Sequence, residues 1–342
     1  MLDIKEEGII LKKTKRKFES DGVLNPACIE KGGIVHMFYR AVAKGNYSTL
    51  GYCQLDKNNK VIERWKKPFM VPEFQYEMHG IEDPRIEKID DLYYLFYTAY
   101  DGKNARIAYA VSKDLKNFEK KGLISPSITY DKAEDIFRNS CCLQEKYFLF
   151  ESYYKEKHGR NVLLWEKDAF LLPRKVNGKF ALFHRVLPRI QIAYFKDFKE
   201  LKSVKFWKKY FKNLGKNIVV DPKYWFEIRN VGGGCPPIET KEGWLLIYHA
   251  VEDTNHGKIY HAAAALLDKK NPVKILGRLD YPLFSPNEPW ERIGIVNDVV
   301  FPTGAILRKG RVTVFYGAAD QLIAAKSFKL SDLLNEFKKS KT

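Results

Sequence analysis

Cysteine is scarce in this 342-residue chain and poorly arranged for cross-linking: Cys28, Cys53, Cys141, Cys142 and Cys235 form an odd set of five, two of them adjacent. Such spacing suits neither a disulfide framework nor a zinc ribbon, so reduced, mostly buried thiols are expected. Long apolar runs are missing too. No stretch approaches the roughly 18 apolar residues of a membrane span. The opening MLDIKEEGIILKKTKRKFES has only a four-residue apolar run, too short for the core of a signal peptide. A soluble, cytoplasmic protein with no membrane partner is the expectation. There is no G-x-S-x-G elbow, which leaves serine-hydrolase chemistry without a foothold. His256 and His261 lack metal-ligand spacing and His79 stands alone, so no metal site is expected.

What is present is a chain that is 45% hydrophobic and 14% aromatic, enough to bury a substantial core and to exclude disorder. Lysine and arginine outnumber acids by 59 to 42, for a net charge of +17. More than half of that excess lies in residues 199–216 and in the last seventeen residues. With no RNP-like, zinc-finger or helix-turn-helix signature beside it, the excess reads as solvated lysine surface rather than a nucleic-acid site. Phe206, Trp207, Tyr210, Phe211 and Leu214 recur at helical spacing among those lysines, predicting a short amphipathic helix that packs on the body of the protein or serves a homo-oligomer interface. SDLLNEFKK near the C-terminus predicts another helix, with Ser331 as N-cap.

A strand pair recurs five times. Its leading strands read IVHMFYRAV (34–42), LYYLFYTAY (92–100), KFALFHRVL (179–187), WLLIYHAVE (244–252) and VTVFYGAAD (312–320), each rich in β-branched and aromatic residues. A hairpin-type turn precedes each: Gly32–Gly33, Asp90–Asp91, Asn177–Gly178, Glu242–Gly243 and Lys309–Gly310. Upstream stand Pro26, Pro84, Pro173, Pro237 and Pro302, each followed by apolar residues, which would mark where an opening strand begins. Five such units predict an all-β, five-bladed β-propeller in one domain over residues 1–342, with a short C-terminal helix and insertions near 125–165 and 199–226. A β-sandwich needs no such recurrence.

In a propeller, equivalent residues of the units surround one channel. At the end of the inner strands they are Arg40, Thr98, Arg185, His249 and Gly317; before the prolines they are Asn25, Asp83, Leu172, Pro236 and Phe301. A lone carboxylate, Asp83, thus faces several cations. Charges aimed into a narrow channel are costly to desolvate, so the set reads as a polar ligand site or as a buried salt-bridge network pinning the blades. Asp83 and Arg85 could also pair within one Glu-Asp-Pro-Arg turn. Gly232–Gly233–Gly234 lacks the following helix that a phosphate loop requires and reads as a tight turn. Residues 125–165, with Glu134, Asp135 and Glu151, would form a rim or lid.

GIEDPRI (80–86), YTAYDG (97–102), PRKVNGKFALFHR (173–185), GGGCPPIETKEGWLLIYHAVE (232–252), NDVVFPTGAI (297–306) and FYGAAD (315–320) together resemble glycoside hydrolase family 130. These are five-bladed propellers that cleave β-mannosides by phosphorolysis or hydrolysis, with inversion. The resemblance implies that Asp83 is the general acid, its proton passing through a mannose hydroxyl. It implies that Asn25, Arg40 and Asp320 hold the mannose, and that Lys167, Arg185 and His249 hold phosphate. A further phosphate position, usually lysine, is Asn230 here. Losing a cation beside a dianion weakens its binding by about 1–3 kcal/mol if a charge-assisted bond is lost. That departure tilts the expectation toward hydrolysis of a β-mannoside oligosaccharide, as in the family's β-1,2-mannosidases, with Glu227 or Glu252 as the base that activates water. Phosphorolysis to mannose 1-phosphate, with inorganic phosphate as co-substrate and no cofactor, is the alternative. A non-catalytic carbohydrate-binding propeller using Trp65, Trp225 or Trp290 as platforms is a third reading.

Overall fold

Residues 2–138 and 145–339 are described by a computed structural model; Cys141 and Cys142 lie outside them. Cys28, Cys53 and Cys235 are buried free thiols, and burial pushes Cys53 and Cys235 up to about 12. No helix among the described residues is long and apolar enough to cross a membrane.

The strands sort into five antiparallel sets of four. The first comprises Gly22–Lys31, Ile34–Ala43, Tyr47–Leu55 and Val61–Arg64, and the second Gly80–Ile89, Leu92–Tyr100, Ala105–Ser112 and Glu119–Leu123. A lone parallel bridge, Ser48 with Gly80, joins these two into one sheet. The third is Lys167–Leu171, Phe180–Arg185, Ile190–Phe195 and Ile218–Val220; the fourth is Asn230–Gly233, Trp244–Thr254, Gly257–Leu267 and Ile275–Arg278, with Ile238–Glu239 as an extra rung. The fifth combines Val300–Arg308, Arg311–Ala318 and Leu322–Lys329 with Lys5–Leu11 from the other end of the chain. Opening strands meet in succession: the first touches the second and the fifth, the second touches the third, and the third touches the fourth.

Packing explains why the leading strands read as continuous apolar runs. Along Trp244–Val251 side chains alternate between faces, and both faces are covered. Leu245 and Ile247 enter a core shared with the fifth set, while Leu246, Tyr248 and Ala250 enter one shared with the third. Every residue of that stretch is therefore buried.

The proline alignment needs two corrections. In the third set the opening strand is Lys167–Leu171, and Pro173 falls in the following connection; in the fourth it is Asn230–Gly233, ahead of Pro236 and Pro237. The shared feature is a bulge, where one extra residue on the opening strand shifts the pairing register by one, and proline is only one way to build it. It lies between Leu24 and Ala27, between Glu82 and Arg85, and between Lys167 and Phe170. Asn25, Asp83 and Asp168 occupy it with φ of 50°, 49° and 58°, the left-handed region that Asn and Asp tolerate best.

Each set also has an internal pin. Glu19, Glu77, Glu166, Glu227 and Glu291 are all fully buried. Glu19, Glu77, Glu227 and Glu291 accept the hydroxyl hydrogens of Tyr39, Tyr97, Tyr248 and Tyr316, while Glu166 lies 3.2 Å from His184 Nδ1. Those partners stand immediately before Arg40, Thr98, Arg185, His249 and Gly317, so they face the opposite side of the strand. Arg64, Lys120, Arg278 and Lys326 complete four of the pins at 2.7, 2.7, 2.6 and 2.9 Å. These pins act within each set, while Asp83 and Glu82 bridge the first, second and third sets through Asn25, Arg40 and Lys167.

The helix predicted among the lysines is Val204–Lys212, capped by Ser203 and packed through Trp207, Tyr210 and Phe211. The C-terminal helix is Leu330–Lys339; it continues directly from its strand, so Ser331 lies inside it rather than at its cap. Helices Tyr130–Arg138 and Glu145–His158 fill the 125–165 insertion.

Candidate active site

The bulges aim their side chains at one another. Asp83, only 8% exposed, receives a hydrogen bond from Asn25 Nδ2 at 2.7 Å and lies 3.4 Å from Arg40 Nη1. Arg40 also binds Glu82 at 2.9 Å, and the other oxygen of Glu82 meets Lys167 Nζ at 3.1 Å. Next along the third opening strand, Asp168 pairs with Arg185 Nη1 at 3.0 Å. Asn25, Arg40, Asp83, Lys167, Asp168, Arg185 and Asp320 thus share the walls of one cavity of about 220 Å³, with Tyr260, Val296, Val299 and Phe301 beside them.

An outer cavity of about 580 Å³ adjoins it, sharing Arg40, Lys167, Val296 and Asp320 and adding Glu82, Tyr100, Lys157 and Trp165. The insertion contributes to this rim through Lys157 and Trp165. Its Glu134 and Glu151 instead pair with Arg138 and Lys155. Trp65 packs on Tyr52 and Phe69, Trp225 is 59% exposed against His261, and Trp290 packs into the core; none lines either cavity.

Close approach at the centre requires glycine. A Cβ on Gly317 would fall 2.1 Å from Asn25 Oδ1. Arg85, fully buried, donates to the carbonyls of Gly233 and Gly234 and to those of Asp83 and Pro84. It therefore does not pair with the Asp83 carboxylate, and the glycine run serves to bring carbonyls against a guanidinium rather than to cradle phosphate.

Two of the carboxyls that interact with Arg40, Asp83 and Asp320, differ in acidity. Burial alone would raise Asp83, but Arg40, Lys167, the Asn25 hydrogen bond and Arg85 outweigh it and hold the group at about 2. Burial pushes Asp320 up to about 6: Arg40 and Lys167 oppose the rise, whereas Asp83 and Glu82 reinforce it.

Several expected residues stand elsewhere. Glu227 is a structural pin, accepting from Tyr248, Arg278 and the amides of Lys223 and Tyr224, with both oxygens engaged away from the cavity. Glu252 binds His261 at 3.2 Å and lines neither cavity. Neither glutamate therefore shares the cavity that holds Asp83. His249 is fully buried behind Arg185, 3.5 Å from its Nη1 and packed on Phe301. Burial lowers it to about 3, so it is a neutral imidazole at pH 7 rather than a cation. Asn230 is buried opposite Val251, also outside the cavity wall.

Asp168 and Tyr260 escaped the sequence reading. Aligning the third unit on Pro173 hid Asp168; aligning on Lys167–Asp168, which occupies the bulge as Glu82–Asp83 does, would have found it. Tyr260, on a third strand, carries no sequence signal.

A family profile described as beta-1,4-mannooligosaccharide phosphorylase matches residues 10–339. The chain is 33% identical over 340 residues to a 1,2-beta-oligomannan phosphorylase of a Thermoanaerobacter species, covering 96% of this chain and 97% of that one. It is 34% identical to a beta-1,2-mannobiose phosphorylase of the same organism, covering 90% and 89%. Among solved structures, a beta-1,2-mannobiose phosphorylase from Listeria innocua superposes with a TM-score of 0.73 at 22% identity, over 99% of this chain and 100% of that one, a likeness of fold.

Proposed function

The chain belongs to glycoside hydrolase family 130, and from that premise we propose that it cleaves β-1,2-linked mannosides by phosphorolysis, with inversion, inside a single five-bladed propeller closed by its N-terminal strand. One observation carries this reading: Asp83, Lys167 and Arg185 line a single cavity that neither Glu227 nor Glu252 reaches. Hydrolysis needs a carboxylate to activate water, whereas phosphate is already a competent nucleophile and needs cations to position it. The names of the two Thermoanaerobacter relatives supply the linkage.

In this mechanism Asn25, Arg40 and Asp320 hold the mannosyl unit over Asp83, and Lys167 and Arg185 hold phosphate on its far side. A phosphate oxygen forms a bond to C1 as the C1–oxygen bond to the leaving sugar breaks. The Asp83 proton passes through a mannose hydroxyl to the leaving oxygen, giving mannose 1-phosphate and a shortened mannoside. No metal or organic cofactor enters. Asp83 is ionised in the free protein, since it titrates at about 2. Arrival of a phosphate dianion and exclusion of water both favour its protonated form, so the proton is taken up as the substrates bind.

Asp83→Asn keeps the shape and removes the acid, so turnover should fall by at least ~10³-fold while mannoside and phosphate still bind. Product analysis with and without inorganic phosphate is the direct check. Free mannose formed at the same rate in both would overturn phosphorolysis. A variant as active as the parent would leave only a carbohydrate-binding role for the constellation around Asp83.

A further inference from the structure

We propose that Asp168 selects the inorganic co-substrate: it accepts the hydrogen of a protonated oxyanion, so the site takes hydrogen phosphate and rejects sulfate. The proposal rests on the phosphorolytic reading above and adds how the anion is chosen.

Lys167 and Arg185 alone would attract any small oxyanion, because a point charge and a guanidinium fork do not distinguish phosphate from sulfate. Asp168 supplies the distinction. Its side chain is 1% exposed and lines the inner cavity beside both cations. Its Oδ2 lies 3.0 Å from Arg185 Nη1 and 3.9 Å from His249 Nε2, yet it accepts no hydrogen bond. Oδ1 is 3.9 Å from Arg85 Nη2. Arg185 compensates the charge of this carboxylate, but no donor meets Oδ2 in hydrogen-bond geometry, and a ligand hydroxyl would supply one. The backbone makes room for it: a Cβ on Gly232 would fall 2.7 Å from Oδ2.

Near neutral pH inorganic phosphate retains at least one hydroxyl, whereas sulfate retains none. The phosphate hydroxyl donates a charge-assisted hydrogen bond to Asp168 while its other oxygens face Lys167 and Arg185. Sulfate presents only lone pairs to the carboxylate, and that repulsion is the discriminating element.

Sulfate competition in the phosphorolysis assay tests this. In the parent protein the sulfate inhibition constant should exceed the phosphate KM by at least about tenfold. In Asp168→Asn, whose amide can donate to either anion, the two should come within about threefold of each other. Asparagine tolerates the left-handed backbone at this position, so the variant keeps its fold, which its unfolding temperature will verify. Parent protein inhibited by sulfate near the phosphate KM overturns the inference even without the variant. So does an unchanged ratio in the variant, while continued mannose 1-phosphate formation would leave phosphorolysis standing. Phosphate-independent release of mannose that disappears in Asp168→Asn would identify a water-activating base and overturn both.

Discussion

Two carboxyls share Arg40 with opposite consequences for the fold. Asp83 titrates below its ordinary range, so it stabilises the protein above about pH 4 and loses that contribution as pH falls through 2. Asp320 titrates at about 6, so ionising it costs stability as pH rises from 4 to 6, and the whole penalty persists above. A two-unit shift corresponds to about 3 kcal/mol, and partial contact with solvent at the cavity wall reduces it. Asp320→Asn should therefore stabilise the ligand-free protein by about 1–2 kcal/mol at pH 8 and by nothing at pH 3, at the expense of mannoside affinity. Urea unfolding at the two pH values measures this. A variant no more stable at pH 8 than the parent would refute the assignment of Asp320 as a strained carboxylate. This ordering of acidities was not legible in the sequence, because burial and the shared guanidinium come from strands far apart along the chain.

At the scale of the element, the pins explain why glutamates recur beside the leading strands. Glu227 had the position expected of a base relative to the glycine turn, but a 3₁₀ turn at Trp225–Glu227 folds it inward to Tyr248 and Arg278. Glu227→Gln weakens a buried ion pair, so a loss of about 3–5 kcal/mol is expected, the range for breaking one partner of such a pair. Phosphate-dependent turnover measured well below the new unfolding temperature should change only a few-fold. Abolished turnover with unchanged stability would return Glu227 to the reaction. The tyrosines of the pins were visible in the sequence as an aromatic one residue before each channel position, in four of five units. Their meaning was not, since the glutamates lie at differing distances upstream.

Closure belongs to the whole molecule. Lys5–Leu11 pairs with Leu322–Lys329, reinforced by Glu6 with Lys326 at 3.2 Å and by a Ser327 hydrogen bond to Glu7 at 2.7 Å. Deleting residues 1–11 leaves a long apolar strand as an open edge, with its buried face uncovered. The deletion should lower the unfolding temperature by more than ~5 °C and promote association, read by calorimetry and size-exclusion chromatography. An unchanged, monodisperse protein would show that the terminal strand does not hold the fifth unit in place.

The sequence by itself determined the number of units, their leading strands and the positions of Arg40, Asp83 and Arg185. Turn chemistry, strand periodicity and the Glu-Asp-Pro-Arg motif are local, and local pattern is what a sequence displays. Only the tertiary structure decided that Asp168 shares a cavity with Asp83, that His249 is a neutral imidazole behind Arg185, and that Glu227 and Glu252 lie outside that cavity. Those outcomes depend on which side chains from other strands surround each group, and that neighbourhood sets burial, charge and direction together.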